Sequence, residues 1–337
     1  MPSKHEPIIR HTPIRSLYIE QGQSPGDIIM LTAAVRDIKA AYPALRIGVE
    51  TTAMDIWLNN PRIDPTLRRD EADAVVYAEY PDINRSNDGM YHFGHAFRHY
   101  LAGVLGLNVP QTTSVRGEVW INDEEAARFA PWLKARGLPE RGYWLVDAGV
   151  KSDYTAKGWE LERWQAVVDA TRDSIAWAQI GAAEHRHPAL KNVVDLRGQT
   201  STRELILLMH RAGGVITPVS FPMHLAAAVP MWGEPPARRR PCIVLAGGRE
   251  PPSWVAYNEH QYVHTCGALP CCDNGGCWRS RVVPLGDGDQ KDQSLCLFRV
   301  KSSVSGRPIQ LCMEMIYPEQ IVLLVRQYLR YGSARRA

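Results

Sequence analysis

Apolar positions along the chain change period several times, and each change marks an element. Residues 16–21 alternate and give way to Gly22, Ser24, Pro25 and Gly26, after which Ile28, Leu31, Val35, Ile38 and Tyr42 recur at intervals of three and four. Alternation fits a half-buried strand and the longer interval fits one face of a helix, so this stretch predicts strand, loop, amphipathic helix. Pro43 lacks the N–H that would continue the helical ladder, and residues 46–51 resume as a strand. The chain thus opens on a βαβ unit. Residues 73–77 predict another strand and residues 92–107 a helix, which closes a first α/β half near residue 120.

The pattern then repeats. Residues 143–148 read as a buried strand, and a helix follows with Leu161, Trp164, Val168 and Thr171 on one face. Strands at 175–180, 214–217 and 242–246 alternate with helices at 202–212 and 222–229. Such alternation implies a parallel sheet with right-handed crossovers. Between the halves, Glu124–Arg136 suits a helical connection that ends at Gly137, Pro139 and Gly142. The expected organisation is α/β: a Rossmann-like domain over residues 1–125, a second over 140–317 that includes a cysteine-rich segment at 266–312, and a closing helix and tail at 318–337. Ile321, Leu324, Val325 and Tyr328 share a face of that helix. Two such halves are expected to face across a cleft, with ligand at the carboxyl ends of their strands.

Composition changes this picture little. The 337 residues suit two domains, and 45% hydrophobic with 22% charged residues is ordinary for a globular chain. A net charge of +3 and dispersed aromatics give no nucleic-acid footprint. No apolar run approaches the roughly 18 residues of a membrane span, and Met1–Pro13 has no apolar core of a secretory leader, so a cytoplasmic protein is expected. Arg238–Arg240 reads as a solvated loop edge, with contact to an acidic acceptor or a membrane surface as the sharper alternative. Peripheral membrane contact and an oligomer are both compatible with this composition.

Cysteine usage is the anomaly. Six of seven cysteines (Cys266, Cys271, Cys272, Cys277, Cys296 and Cys312) fall within 47 residues, where even scatter would place about one. In a reducing compartment such a cluster reads as metal binding before disulfides. Helical periodicity also disappears over this stretch, so ligation would supply what a small core does not.

Three loops carry candidate chemistry. The first, Gln21–Asp27, lacks the glycine spacing of a dinucleotide-binding loop and the Gly-Lys-Ser/Thr ending of a P-loop. Its Asp27 stands at a helix amino terminus, where the macrodipole favours the ionised form, and serves as a base or simply as a cap. The second, Ala148–Trp159, offers Lys151 and Lys157 to neutralise a phosphate leaving group, or to sit solvated in a surface loop. The third, Thr217–Ala228, runs from a strand end into a helix with Pro222 in its first turn, the arrangement whose amides bind phosphate. His224 lies there, as a ligand contact or a satisfied, partly buried histidine. His92, His95 and His99 fall on one helical face, which could line an acceptor cleft or bind a metal, but no carboxylate follows at ligand spacing and they read as a partly exposed surface.

These residues resemble the ADP-heptose heptosyltransferases of glycosyltransferase family 9, which adopt the GT-B fold. The resemblance rests on Gly26-Asp27-Ile28, Thr32–Arg36, Ala41–Pro43, Asn59–Asp64, Lys157–Trp159, Leu196–Thr200 and Pro222–Ala228, in that order. It implies an inverting transfer from a nucleotide-sugar donor, ADP-heptose first, to a glycan or protein hydroxyl, a lipopolysaccharide core sugar among them. By the same resemblance Asp27 is the base and Lys157 contacts the donor phosphates. Gly26, Lys151, Thr217, Ser220, Met223 and His224 complete the substrate-binding set, and no catalytic metal is needed. One departure is plain. The family reads Asp-Thr/Ser-Gly before Pro-Met-His, and this chain has Val219-Ser220-Phe221. Valine can neither hydrogen-bond a sugar hydroxyl nor pair with a lysine. The alternative is therefore a catalytically silent nucleotide-sugar binding or assembly protein.

The cysteine segment is similar, more narrowly, to the four-cysteine iron finger of the bacterial autotransporter heptosyltransferases, through Cys277-Trp278, Cys296 and Leu311–Glu319. The implied ligands are Cys272, Cys277, Cys296 and Cys312, with Cys271 the alternative first ligand and a wider Cys272-x4-Cys277 spacing than the finger's own. Four thiolates favour iron or zinc in a closed tetrahedral site, a structural role.

Overall fold

A computed structural model of the chain describes residues 6–78, 92–151, 154–278 and 295–331. It divides into two compact units, Met1–Glu125 and Ala126–Ala337.

The first unit is a four-stranded sheet. Its elements are β1 (Ile8–Ile9), β2 (Ser16–Gln21), α1 (Pro25–Ala41), β3 (Arg46–Thr51), β4 (Ala74–Tyr77) and α2 (Phe93–Leu105). Strand order is β1-β4-β2-β3, with β2 parallel to both β3 and β4 and only β1 antiparallel. Helix α1 starts where the sequence stops it from being anything else. Ser24 is an extended N-cap, Pro25 fits the first turn, and Asp27 closes a capping box. At its other end the Tyr42 N–H bonds the Ile38 carbonyl just before Pro43. Ile28 to Val35 are all buried, and α1 packs closely on α2. His95 is buried on α2, while His92 caps that helix by accepting the Gly94 N–H and His99 is exposed. Of the face that their spacing predicts as partly exposed, only His95 is withdrawn from solvent.

Helices α3 (Asp123–Arg128) and α4 (Ala130–Ala135) follow. The second unit then sets out β5 (Trp144–Val146), α5 (Leu161–Thr171), β6 (Trp177–Gln179), β7 (Val194–Asp195), α6 (Thr202–Arg211), β8 (Gly214–Pro218), α7 (Phe221–Ala228) and β9 (Cys242–Gly247). It continues through α8 (Pro252–Val255), β10 (Gln261–His264), a hairpin of β11 (Arg299–Lys301) and β12 (Pro308–Gln310), α9 (Leu311–Glu314) and α10 (Pro318–Tyr331). Its main sheet is parallel throughout, in the order β10-β9-β8-β5-β6-β7.

The core of this unit is aromatic. Trp144, Trp177, Trp164, Trp159 and Tyr328 are buried together, with Trp144 edge-on to Trp177 and to Tyr328. Tyr328 arrives from α10, whose buried Ile321, Val322 and Val325 lie against α5. Arg163 ties the two regions: buried on α5, it bonds Glu160, the Glu314 carboxylate at 2.5 Å and the Ile316 carbonyl at 3.0 Å. The chain's last helix is thus integral to the second unit.

Arg240 corrects the reading of Arg238–Arg240 as a solvated edge. Its side chain is buried, and its guanidinium donates to the carbonyls of Ala212, Ala226, Val229, His210 and Pro230. These are carbonyls at the ends of α6 and α7 with no helical partner, which a five-donor fork can satisfy together.

Candidate functional site

In both units the sheet reverses its winding beside a central strand. Strand β2 has β3 on one side and β4 on the other, and β5 has β6 and β8. At such switch points the connections leave in opposite directions and open a crevice at the strands' carboxyl ends, where α/β proteins bind ligands.

Past β2, the loop is anchored from both sides: Gly22 N–H donates to the Tyr77 hydroxyl at 3.3 Å, and Thr52 Oγ1 donates to the Gln23 carbonyl at 2.6 Å. Asp27, only 8% exposed, follows in the first turn of α1. Its Oδ2 accepts the Ser24 hydroxyl at 2.7 Å and the Ser24 N–H at 3.2 Å. Gly26, beside it, is buried.

In the second unit the residue after β5 is Asp147, which is buried. Its Oδ2 accepts hydroxyl hydrogen bonds from Thr217, at 3.1 Å, and Ser220, at 2.9 Å. Its Oδ1 lies 3.3 Å from His187 Nδ1 and has no hydrogen-bond partner among the described residues. Burial pushes the Asp147 carboxyl up to about 6, against the pull of the two hydroxyls. Burial also lowers His187, and the Arg197 charge adds to that effect. The imidazole fits only because two glycines face it. A Cβ on Gly149 would stand 2.1 Å from His187 Nδ1, and one on Gly181 2.4 Å from its Cγ.

Because Ser220 Oγ is turned to Asp147 and Thr217, it makes no side-chain cap on α7. Pro222 has no N–H, and the Met223 N–H is already donated to the Ser220 carbonyl. Anion donors at this helix start are thereby narrowed to the amides of Ser220 and Phe221. Met223 itself is wholly buried, and His224 Nδ1 lies 2.9 Å from the Tyr257 hydroxyl.

Lys157 ends a single 3-10 turn, Thr155–Lys157, in the loop after β5. Its Nζ donates to the Val219 carbonyl at 2.8 Å and to Glu250 Oε1 at 2.7 Å. Burial holds the ammonium below its ordinary range, the Glu250 charge opposes this, and the neighbouring Arg249 charge reinforces it. Lys151 is exposed, although its charge is felt at Lys157 and His185. The structure thus brings Lys157, Thr217 and Ser220 to one end of the sheet, supplied by the loop after β5, the end of β8 and the loop beyond it.

The cysteines lie beyond β9. Cys272 and Cys312 are buried, and both close on Gly248, where a Cβ would stand 3.0 Å from Cys272 Sγ and 3.4 Å from Cys312 Cβ. Burial raises the thiols of Cys271, Cys277 and Cys312, the last to about 11. Each of these feels neighbouring thiols, Cys296 among them in every case. The donor chemistry is all sulfur and suits a soft or borderline cation. Among the described residues, however, no three side chains stand in a ligating arrangement.

Four residues here escaped the sequence reading: Asp147, His187, Arg249 and Glu250. Asp147 left one trace, as the sole charged residue in the run Tyr143–Ala148. Glu250 and Arg249 follow a buried strand by a few residues, where an α/β ligand site draws its side chains.

No family model and no curated protein matches the sequence. Solved structures do match. A glycosyl transferase family 9 protein from Veillonella parvula is 14% identical at a TM-score of 0.63, over 94% of this chain and 97% of its own. The dodecameric iron-containing heptosyltransferase TibC, in complex with ADP-D-β-D-heptose, is 16% identical at 0.61, over 95% of this chain and 77% of its own. E. coli ADP-heptose LPS heptosyltransferase II is 12% identical at 0.56, over 94% and 99%. The chain therefore has an α/β fold with parallel sheets that matches the GT-B heptosyltransferases. Among the described residues no helix is long and apolar enough to cross a membrane.

Proposed function

We propose that this protein is an inverting glycosyltransferase that moves a sugar, heptose from ADP-heptose first, onto a hydroxyl of a glycan or protein acceptor. The observation that carries the reading is the convergence of Lys157, Ser220 and the start of α7 at the switch point of the second sheet, in a fold shared with heptosyltransferases. There a diphosphate meets a cation and amides without displacing any strand. The first unit supplies Asp27 at the equivalent end of its own sheet.

In the reaction the acceptor hydroxyl attacks the anomeric carbon from the face opposite the diphosphate, so the new glycosidic bond forms as the carbon–oxygen bond to ADP breaks. Asp27 takes the hydroxyl proton, its Oδ2 already oriented by Ser24. The Lys157 ammonium and the amides of Ser220 and Phe221 offset the charge that grows on the departing phosphate. Gly26 lets the acceptor approach the turn that holds Asp27, and Lys151 adds positive potential at the edge of the donor site. His224 and Met223 act by fixing the start of α7.

A structural metal belongs to the same proposal. Cys272, Cys277, Cys296 and Cys312, or Cys271 in place of Cys272, would hold one iron or zinc ion, and its chemistry would be the closure of a tetrahedral thiolate site that orders the segment. TibC is iron-containing.

One observation favours the silent alternative. Asp27 Oδ2 is engaged in a capping box, the usual employment of such a residue. The two readings part on turnover. ADP-D-β-D-heptose raising the melting temperature, and releasing ADP when acceptor glycans are added, is the expected result. Stabilisation by the nucleotide sugar with no release against any acceptor would leave the silent binder.

A further inference from the structure

Asp147, directly after β5, and His187, in the segment after β6, meet with more polar atoms than bonds. Asp147 Oδ1 lies 3.3 Å from His187 Nδ1 without forming a hydrogen bond, and neither that oxygen nor either imidazole nitrogen has a hydrogen-bond partner among the described residues. Both side chains are more than nine-tenths buried, 6% exposed for Asp147 and 7% for His187. Shape and backbone therefore seat the imidazole. Gly149 and Gly181 leave the space that it fills. Arg186, just before it, exchanges backbone hydrogen bonds of 3.0 and 3.1 Å with Val150, and the His187 carbonyl accepts Arg197 Nη1 at 2.5 Å. An apolar side chain would fill the same seat without orphaned nitrogens, which are costly to bury unmet. The neutral group that suits the pair is a hydroxyl, which donates to a carboxylate oxygen and accepts an imidazole N–H at once. The pair also borders the proposed donor site. Asp147 Oδ2 accepts the hydroxyl of Ser220 at the start of α7, next to Val219, whose side chain offers no polar atom.

We infer that Asp147 Oδ1 and His187 form a hydroxyl-reading subsite of the donor site, which takes one sugar hydroxyl or a vicinal pair. The inference rests on the nucleotide-sugar reading and deepens it. A donor of this class carries hydroxyls in two places, the ribose and the transferred sugar, and a carboxylate beside an imidazole suits either. The ligand hydroxyl donates its proton to Asp147 Oδ1, and its oxygen accepts from whichever His187 nitrogen carries hydrogen. Asp147 then works with both oxygens, Oδ2 holding Thr217 and Ser220 while Oδ1 holds the ligand. Discrimination is strong at such a place, because an analogue without the hydroxyl leaves buried polar groups unpaired.

Calorimetric titration of the full chain with ADP, with dideoxy-ADP lacking both ribose hydroxyls, and with ADP-D-β-D-heptose tests this and separates the two sources. With the ribose as source, the wild type is expected to bind ADP about tenfold to a hundredfold more tightly than dideoxy-ADP, the worth of a hydrogen bond to a charged group. Asp147→Asn and His187→Leu should each shrink that ratio severalfold. With the transferred sugar as source, ADP and dideoxy-ADP bind alike, and the two variants instead lose affinity for ADP-D-β-D-heptose by about the same factor while sparing ADP. Should one variant not fold, the other carries the test alone. Ratios among the three ligands that are the same in the wild type and the folded variants, whether affinities hold or fall together, would overturn the subsite. Failure of the wild-type protein to bind either ADP or ADP-D-β-D-heptose would instead remove the donor reading, and the subsite with it.

Discussion

Replacing Asp147 by asparagine probes the switch point of the second sheet directly, because that carboxyl is the most perturbed acid near the proposed donor site. Burial raises it from 3.8 to about 6. The folded chain therefore holds the proton more tightly than the unfolded chain, and stability is lost as pH rises from about 4 to about 6. The whole cost is about 3 kcal/mol, of which about 2 kcal/mol accrues between pH 4 and pH 8. Asparagine is nearly isosteric, its Oδ1 can accept from Thr217 and Ser220 as the carboxylate does, and it does not ionise. Whatever the amide costs at a single pH, its change between pH 4 and pH 8 lacks the Asp147 contribution, and His185, which burial lowers and the Asp147 charge raises, is the coupled neighbour that shifts with it. Urea unfolding at the two pH values measures this. The wild type should lose about 2 kcal/mol more than Asp147→Asn on going from pH 4 to pH 8. Identical pH dependence in the two proteins would mean that Asp147 ionises freely in the fold, and the account of it as a buried, half-satisfied acid would be wrong.

Three further outcomes follow from other parts of the molecule. Asp27→Asn should cut ADP release in the presence of acceptor by about a hundredfold or more while leaving ADP affinity intact, and undiminished turnover would remove Asp27 as the base. Arg240→Met should destabilise the second unit by about 3 kcal/mol or more in urea, since the carbonyls of Ala212, Ala226 and Val229 lose a donor in a buried place; a change within about 0.5 kcal/mol would show that water reaches them. Elemental analysis of purified protein should find one iron or zinc per chain, and Cys312→Ser should lower both the metal content and the melting temperature; protein without bound metal but with an unchanged melting temperature would refute the structural ion.

How much of this was legible beforehand follows from where the information sits. Helices α1 and α10 were readable because each buries a long periodic face that the chain spells out locally, down to Pro25, Pro43 and Pro318 at their ends. Strands β7 and β10 were missed. The first has two residues and both lie at sheet edges, where little alternation is required. Arg240 was misread because a run of arginines looks alike whether water or carbonyls receive it, and the carbonyls come from residues 10 to 30 positions away. Asp147 gains its meaning from Thr217 and Ser220, 70 and 73 residues on. No local pattern encodes such a pairing. Gly149 and Gly181 likewise look like loop glycines until His187 is placed between them.

Residue 219 gives the sharpest case. Along the chain, valine there stands for a lost carboxylate, and a silent protein is the consequence of that loss. What Lys157 requires is spatial: an anionic oxygen within hydrogen-bond reach, from whichever segment can bring it. Here the valine position contributes its backbone carbonyl and Glu250 contributes the carboxylate, 31 residues later in the chain. The lysine is thus paired, and the substitution at 219 no longer counts against transfer through that lysine. If the protein is nonetheless silent, the cause must lie with the base or the acceptor. Asp27 is the residue on which that divides, since a capping box and a proton acceptor make different demands on the same carboxylate. A cap needs only Oδ2 on Ser24, and asparagine can supply that oxygen. A base needs the negative charge, and asparagine cannot. Equal stability of wild type and Asp27→Asn together with abolished transfer would assign both tasks to Asp27 at once.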